Sequence, residues 1–175
     1  ENVADEAGIG IATLYRYYRT KSELVVAVGT HVWSNFISDY MPIRNEDNTT
    51  ASEELEFFLD SFLELYKNHK KLLCFNQFFN IYIRNEAISK RALNSYNEMV
   101  DQLAMRFHKT YVKGKNDKTL CTEVSENSMF LSIMHLMLAA ITRYAVGLAY
   151  EKDIESDNEL VLLKNMLMHE FSRKK

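Results

Sequence analysis

The sequence predicts an all-α fold, and three observations carry this prediction. The chain of 175 residues has one proline and five glycines, where average usage would give roughly nine prolines and twelve glycines. Capping-box pairs, in which a Ser or Thr precedes a Glu by three residues, divide the chain at Thr20, Thr50 and Ser156. Apolar residues recur at helical spacings, and we find neither strand-like alternation nor an internal repeat.

Residues 3–18 are predicted to form a short helix, a tight turn and a second short helix. Ala4 is small enough to let the second helix cross closely, and Gly8 can take the left-handed conformation that a three-residue turn needs. Leu14 is expected in the core. The apolar contacts that fix the crossing are assigned to Val3, Ala7, Ile9, Leu14 and Tyr18.

Three longer helices are predicted next. The first covers residues 21–39 and stops before the lone proline, Pro42, in a polar stretch. The second covers residues 51–68, and an apolar helix over 72–83 follows it. The apolar stripe of the second helix comprises Leu55, Phe58, Leu59, Phe62, Leu65 and Tyr66.

A fourth long helix is predicted over residues 87–113, after a polar break at 84–86. Gly114 is expected to cap its C-terminus. The apolar stripe of this helix comprises Leu93, Tyr96, Val100, Leu103 and Phe107.

The two C-terminal helices are predicted over residues 128–150 and 157–172. The first is apolar enough to raise the question of a membrane span, but its polar residues share roughly one third of the circumference, which favours a soluble helix covered on several sides. Together the two helices are expected to form a homodimer interface built as a four-helix bundle. Asp in place of Leu163 or Leu167 is expected to dissociate or unfold the dimer.

Charge and cysteine content narrow the function. With 21 basic and 24 acidic residues the net charge is −3, so any nucleic-acid binding must be local rather than spread over the surface. Residues 9–22 are such a region, with Arg16, Arg19, Lys21 and no acid. Cys74 and Cys121 form no metal-binding or disulfide pattern, and no leader is visible, which suits the cytoplasm.

The N-terminal residues resemble the helix-turn-helix signature of the tetracycline-repressor (TetR) family of bacterial regulators. The resemblance lies in Val3-Ala4, Ala7-Gly8-Ile9, Thr13-Leu14-Tyr15-Arg16-Tyr17-Tyr18 and Lys21-Ser22-Glu23-Leu24. Gly10 departs from the family pattern, which usually has Ser or another N-cap there, and Tyr18 stands where Phe is usual. The family's first helix is absent, so the sequence is expected to begin inside a longer protein, with an uncovered apolar face at its start.

The resemblance implies a DNA-binding domain over residues 1–20 and a helical regulatory and dimerisation domain over 21–175. It places Thr13, Tyr15 and Tyr17 against DNA backbone or bases, and Lys21 on a phosphate. Ile11, Ala12 and Arg16 would face the major groove. Core packing is the alternative for the tyrosines, favoured for Tyr18, and a solvated helix face is the alternative for the cations.

No catalytic or metal-binding motif accompanies this segment. The five histidines lack the spacing of metal ligands, and phosphate-binding, dinucleotide-binding and nucleophile motifs are missing, so we predict neither an enzyme nor a cofactor. In TetR-family proteins the middle helices enclose an effector cavity. Its lining is assigned to Phe62, Phe78, Phe79, Tyr82, Tyr96, Leu103, Met134 and His135, with Asn76, Gln77 or His135 as polar anchors, and ordinary core packing is the alternative for each.

The sequence therefore predicts a homodimeric repressor that binds palindromic operator DNA and is released by a small hydrophobic or aromatic effector. The effector would shift the helix over 21–39 and change the spacing of the recognition helices from about 34–36 Å. Two alternatives stay open: an all-helical enzyme or carrier of a hydrophobic molecule, and a dimeric scaffold without a ligand.

Overall fold

The computed structural model describes residues 2–41, 48–86, 88–147 and 156–173, which form eight helices and no strand. The all-α prediction is confirmed. The helices are α1 (Asn2–Glu6), α2 (Ile11–Tyr17), α3 (Lys21–Tyr40), α4 (Ala51–Asn68), α5 (Lys70–Asn85), α6 (Lys90–Asp117), α7 (Glu126–Val146) and α8 (Ser156–Phe171).

Helices α3 and α4, whose bounds the sequence predicted most accurately, both begin with a side-chain cap. The Thr50 hydroxyl accepts from the Glu53 N–H at 3.2 Å while the Glu53 carboxylate accepts from the Thr50 N–H at 2.6 Å, a complete capping box. Thr20 caps α3 in the same way, although Glu23 reaches back to the Arg19 N–H instead. These caps satisfy N–H groups that have no partner within the helix.

Ser156 and Glu159, the third predicted capping-box pair, bond to neighbouring helices instead of to each other's backbone. Ser156 is the first residue of α8, and its hydroxyl lies 2.8 Å from the hydroxyl of Tyr66. Glu159 accepts a hydrogen bond from the Tyr144 hydroxyl of α7. Both side chains therefore join α8 to neighbouring helices, because tertiary partners compete with the local cap.

Gly114 does not end α6, contrary to the prediction. The helix continues to Asp117, and Lys118 takes the left-handed conformation at its C-terminus, with φ 61°. A Cβ on Gly114 would lie 2.6 Å from Leu120, so this glycine is needed for close packing rather than for a turn. The same helix begins at Lys90 behind the Ser89 cap, later than predicted.

Helix α7, predicted over residues 128–150, begins earlier, at Glu126, and ends earlier, at Val146. Ser125 caps it, and Gly147, with φ 100°, follows its last residue, Val146. Residues 148–150 and the predicted stop around Pro42 lie outside the described residues. Among the described helices α7 alone is long and apolar enough to cross a membrane by length and composition, a test that core helices of soluble proteins also pass.

The core is built around α4 and α7. Leu55, Leu59 and Leu65 of α4 are fully buried, as are Ile133 and Met137 of α7. Both helices pack on α5, α6 and α8, so α7 is a central element of the helical body. The predicted α4 stripe is confirmed, with only Phe58 less than fully buried.

Helices α6 and α8 differ from the predictions in which residues they bury. Val100 is 39% exposed, and Met99 is buried instead. Met99 follows Tyr96 by three residues and precedes Leu103 by four, so it lies on the same face of α6 as these two residues. On α8, Leu163 and Leu167 pack into the core of their own chain. Substitution at these two leucines would disturb folding rather than report on a dimer interface.

Polar contacts hold the outer helices against α4. Lys164 of α8 is buried and donates to Glu56 at 3.0 Å and to Asp60 at 2.5 Å. Lys113 of α6 donates to Glu54 at 2.5 Å. These contacts pair charges that would otherwise be costly at a half-buried helix interface.

Candidate nucleic-acid interface and ligand cleft

The turn between α1 and α2 has the geometry that the sequence predicts. Gly8 has φ 64°, and the Gly8 and Ile9 N–H groups donate to the carbonyls of Asp5 and Ala4, each at 3.0 Å. Gly10 precedes α2 in an extended conformation, and because glycine has no side chain the helix lacks a side-chain cap. Ala4 is buried at the crossing, as expected from its small size.

Helix α2 presents nearly all of its surface to solvent. It has no buried residue, and Tyr15 and Tyr17 are 55% and 69% exposed. The Arg16 guanidinium lies over the Tyr17 ring, 5.2 Å from its centroid. The residues predicted to contact DNA are exposed, except for the half-buried Thr13: they are Ile11, Ala12, Tyr15, Arg16, Tyr17 and Lys21.

An open groove lies beside α2, and its partly apolar lining includes Tyr15, Thr20 and Lys21. Leu14 and Tyr18 are half-buried rather than core residues, and Val3 and Ala7 are exposed. The groove has a volume of about 450 Å³, and its lining also includes Val3, Leu14, Tyr18 and Leu24. The face that the sequence leaves uncovered is thus open in the structure.

Helix α3 connects this segment to the helical body. At its N-terminal end the Ser22 and Tyr82 hydroxyls lie 3.1 Å apart. Further along, a Cβ on Gly29 would lie 2.7 Å from Phe79, so α3 and α5 approach closely. At its C-terminal end Arg106 of α6 donates to the carbonyls of Ile37 and Met41 at 3.0 and 2.7 Å. The Ile37 carbonyl also accepts from the Met41 N–H, so Arg106 reinforces the last turn of α3.

A cleft of about 490 Å³ lies between α5 and α7. Asn76, Gln77 and Asn80 line it from α5. The buried Asn76 accepts a hydrogen bond from the Trp33 indole of α3 at 3.2 Å, so one cleft residue is directly bonded to the connecting helix. The α7 side, with the following Gly147, is formed by Met134, His135, Leu138, Ala139, Thr142, Arg143, Val146 and Gly147.

The predicted effector-lining residues do not all meet in one place. Met134 and His135 line the α5/α7 cleft together with the predicted anchors Asn76 and Gln77. Phe62 and Leu103 are buried in the common core. Phe78 is 68% exposed on the outer face of α5 and therefore lines no interior cavity.

The other aromatic candidates lie where α5 meets α3 and α6. Phe79 is buried against Tyr96, with ring centroids 5.0 Å apart, and burial raises the pKa of the Tyr96 phenol. Tyr82 contacts Ser22 through its hydroxyl. These rings join helices, which is the alternative that the sequence left open.

Three polar cleft residues were not predicted: Asn80, Thr142 and Arg143. The signal that could have found two of them was already in the sequence, because Ser132, His135, Thr142 and Arg143 form the polar stripe of an otherwise apolar helix. Three of these four line the cleft. Within the described ranges, no group of three or more His, Cys, Asp or Glu side chains could hold a metal ion.

Residues 1–28 match the model of the bacterial regulatory proteins of the tetR family. The match covers α1, α2 and the first part of α3, so this N-terminal segment is similar to the regulators of that family. An HTH-type transcriptional regulator of Staphylococcus aureus is 35% identical to this chain over 71 residues. That alignment covers 41% of the chain and 38% of the relative, so the chain spans less than half of the length of this curated relative.

Solved structures share the fold of this chain over nearly its whole length. The ketosteroid transcriptional regulator KstR2 of Mycobacterium tuberculosis aligns with a TM-score of 0.66 and 12% identity, covering 98% of this chain and 83% of that one. A tetR-family regulatory protein from Rhodococcus RHA1 gives 0.68 and 11%, covering 99% and 86%. A putative TetR-family transcriptional regulator from Vibrio parahaemolyticus gives 0.64 and 17%, with the same coverages. At these identities the likeness shows the fold.

Proposed function

We propose that this chain is a ligand-responsive transcriptional repressor that binds palindromic operator DNA as a homodimer in the cytoplasm. The observation that carries the proposal is α2, which has no buried residue and yet carries hydroxyl, aromatic and cationic side chains. A helix in a small domain normally gains its stability by burying one face. An unburied helix of this composition is suited to contact phosphates and base edges.

The proposed DNA-binding domain ends at residue 20, and the regulatory domain begins with α3. Arg16, Ile11 and Ala12 would face base edges in the major groove, while Tyr15, Tyr17, Thr13 and Lys21 would contact backbone or bases. The division is supported by α3, which packs on α5 and α6 of the helical body.

The proposed dimer uses the outer faces of α7 and α8. Large apolar side chains remain exposed on both helices, most of all Leu162 and Met166 at 60% and 61%. Leu131, Leu136 and Val146 extend this surface along α7. Two helices from each chain would then bury a surface that is unusual for a monomer.

The proposed effector site is the α5/α7 cleft. A ligand there would contact Asn76, whose side chain bonds to Trp33 of α3. The other face of α5 contacts the N-terminal half of α3 through Phe79 and Tyr82. Movement of α5 would therefore be transmitted to the helix that immediately follows α2, and the spacing of two recognition helices would change.

Footprinting tests the proposal on the DNA flanking the gene, using the protein as the gene encodes it. We expect one protected, two-fold symmetric site whose half-sites are about one helical turn, or a multiple of it, apart, and weaker binding as salt increases. Cell extract should release the DNA if it contains the effector. Binding without any preferred sequence, or no binding at low salt, would contradict the proposal.

The dimer is tested by two methionines that are almost equally exposed. Met166→Asp on α8 should shift the sedimentation coefficient to that of a monomer, because it places two charges in the proposed interface. Met105 on α6 is 60% exposed, and Met105→Asp should leave the dimer intact. A wild-type monomer at micromolar concentration, or equal dissociation by both variants, would exclude this interface.

A further inference from the structure

The α5/α7 cleft is lined by both polar and aliphatic side chains, and none of its lining residues within the described ranges is acidic. Its polar groups come from Asn76, Gln77 and Asn80 on α5 and from His135, Thr142 and Arg143 on α7. The apolar groups are aliphatic: Met134, Leu138, Ala139 and Val146. This combination favours a ligand with one polar end and one hydrocarbon end.

Thr142 offers the polar end of a ligand a hydroxyl donor. The residue is buried, with 8% of its surface exposed, and its Oγ1 is fully enclosed without a hydrogen-bond partner among the described residues. An unpaired buried hydroxyl costs roughly 1–3 kcal/mol, and buried polar groups are paired in the great majority of cases. Thr142 lines the cleft, so a rotation of its side chain would bring the enclosed hydroxyl to a ligand acceptor there and give it the missing partner.

Arg143 sets the charge of that ligand. It is exposed at the cleft, next to Thr142 in the last turn of α7, and forms no ion pair with the described residues. A guanidinium binds a carboxylate through two parallel hydrogen bonds, which are shorter and stronger than bonds between neutral groups. The Asn76 Oδ1 already accepts from Trp33, so its amide nitrogen is the group left to donate to an anion.

We propose that the α5/α7 cleft binds an amphipathic monocarboxylate, with the carboxylate at Arg143, Thr142 and Asn76 and an aliphatic body along Leu138 and Met134, toward the N-terminus of α7. The inference deepens the proposed function, since it names the chemical class of the effector. It also replaces the expected aromatic effector with an aliphatic one, because the aromatic side chains of α5 lie in the core or outside the cleft.

The chain contains its own reporter for this site. Trp33 is the single tryptophan, and its indole N–H donates to Asn76. A ligand that hydrogen-bonds to the Asn76 amide changes the environment of this indole. Binding can therefore be followed by tryptophan emission in the unlabelled protein and checked by calorimetry.

The test compares decanoate with 1-decanol, both below their aggregation concentrations. We expect saturable binding of decanoate at least about tenfold tighter than that of decanol, because only the carboxylate pairs with Arg143. Arg143→Gln should remove this preference and leave decanol binding unchanged. Arg91→Gln, at an exposed arginine at the start of α6, should leave both affinities unchanged.

Thr142→Val separates a binding role from a structural one. The substitution keeps the shape and removes the unpaired hydroxyl, so the free protein should melt at the same or a higher temperature while decanoate binds several-fold more weakly. Equal affinities for decanoate and decanol, no saturable decanoate binding, or full binding by Arg143→Gln would overturn the inference.

The proposed function is tested separately, by footprinting the protein on DNA with and without decanoate. Decanoate that binds the cleft but never alters a footprint would support the carboxylate site and contradict its regulatory role. A footprint released by cell extract, combined with no carboxylate binding, would support the regulator and overturn the carboxylate inference.

Discussion

Helices α2 and α4 lie at opposite extremes of burial. Helix α2 has no buried residue, whereas α4 buries Leu55, Leu59, Phe62 and Leu65 almost completely. The sequence of α2 is the more distinctive of the two, because it carries the family signature, while the apolar stripe of α4 is shared by many helical proteins. The apolar residues of α4 are explained by packing within the chain. The exposed residues of α2 have no such partner among the described residues, which is why we propose that they contact DNA.

The largest effect should come from the buried helix. Phe62→Ala removes a ring that is 1% exposed and packs edge-on against Phe58, so the free energy of unfolding should fall by about 3–5 kcal/mol. Tyr17→Ala on α2 should change it by no more than about 0.5 kcal/mol. Urea titrations of both variants measure the contrast, and comparable losses would mean that α2 packs more tightly than its exposure indicates.

A second contrast concerns two glycines, one in each region. Gly114→Ala should destabilise the body by about 1–3 kcal/mol, because the new Cβ would lie 2.6 Å from Leu120. Gly10→Ser should stabilise α2 by a few tenths of a kcal/mol, since serine is a slightly better N-cap and the nearest atom to the new Cβ is 4.0 Å away. Thermal melts of the two variants should shift in opposite directions, and a stabilising Gly114→Ala would contradict the packing account.

The acid sensitivity of the body should depend on Asp117. This carboxylate accepts from the Ala51 N–H at the start of α4 and from the Thr119 N–H and hydroxyl. Burial raises the pKa of the Asp117 carboxyl, but these hydrogen bonds lower it by more, so the pKa lies below its usual value. The stabilisation is therefore present above about pH 4 and is lost as the pH falls through the lowered pKa.

Asp117→Asn should cost about 1–3 kcal/mol of unfolding free energy at pH 7. The difference from wild type should shrink as the pH falls below about 4. Asp101→Asn, at an exposed position of α6, serves as the control and should show little change. A constant difference between wild type and Asp117→Asn down to pH 2 would show that the carboxylate charge is not the cause.

Local signals in the sequence were enough for much of the fold. The capping residues Thr20 and Thr50 placed α3 and α4 to within one residue, because a cap and a helical stripe depend only on near neighbours. Gly114 was misinterpreted because its role depends on Leu120 across a packed interface. The spacing of three and four residues cannot distinguish a glycine that ends a helix from one that lets a side chain approach.

The candidate sites were predictable to different degrees. The DNA-binding residues lie close together in the sequence, so a motif can identify them. The ligand cleft needs side chains from α5 and α7, which are more than forty residues apart. Aromatic content indicated that these helices matter but not which of their faces meet. Phe78 and Phe79 are adjacent in the sequence and about 100° apart around α5, and the first is exposed while the second is buried.

The most direct test of the account is a comparison of Arg16→Ala and Arg91→Ala on the footprinted DNA site. Fluorescence anisotropy should show that Arg16→Ala weakens binding by about 1–3 kcal/mol and relaxes preference at one base position. Its unfolding free energy should stay within about 0.5 kcal/mol of wild type, and Arg91→Ala should bind as wild type does. Unchanged affinity and sequence preference in Arg16→Ala would contradict the claim that α2 is exposed because it reads DNA.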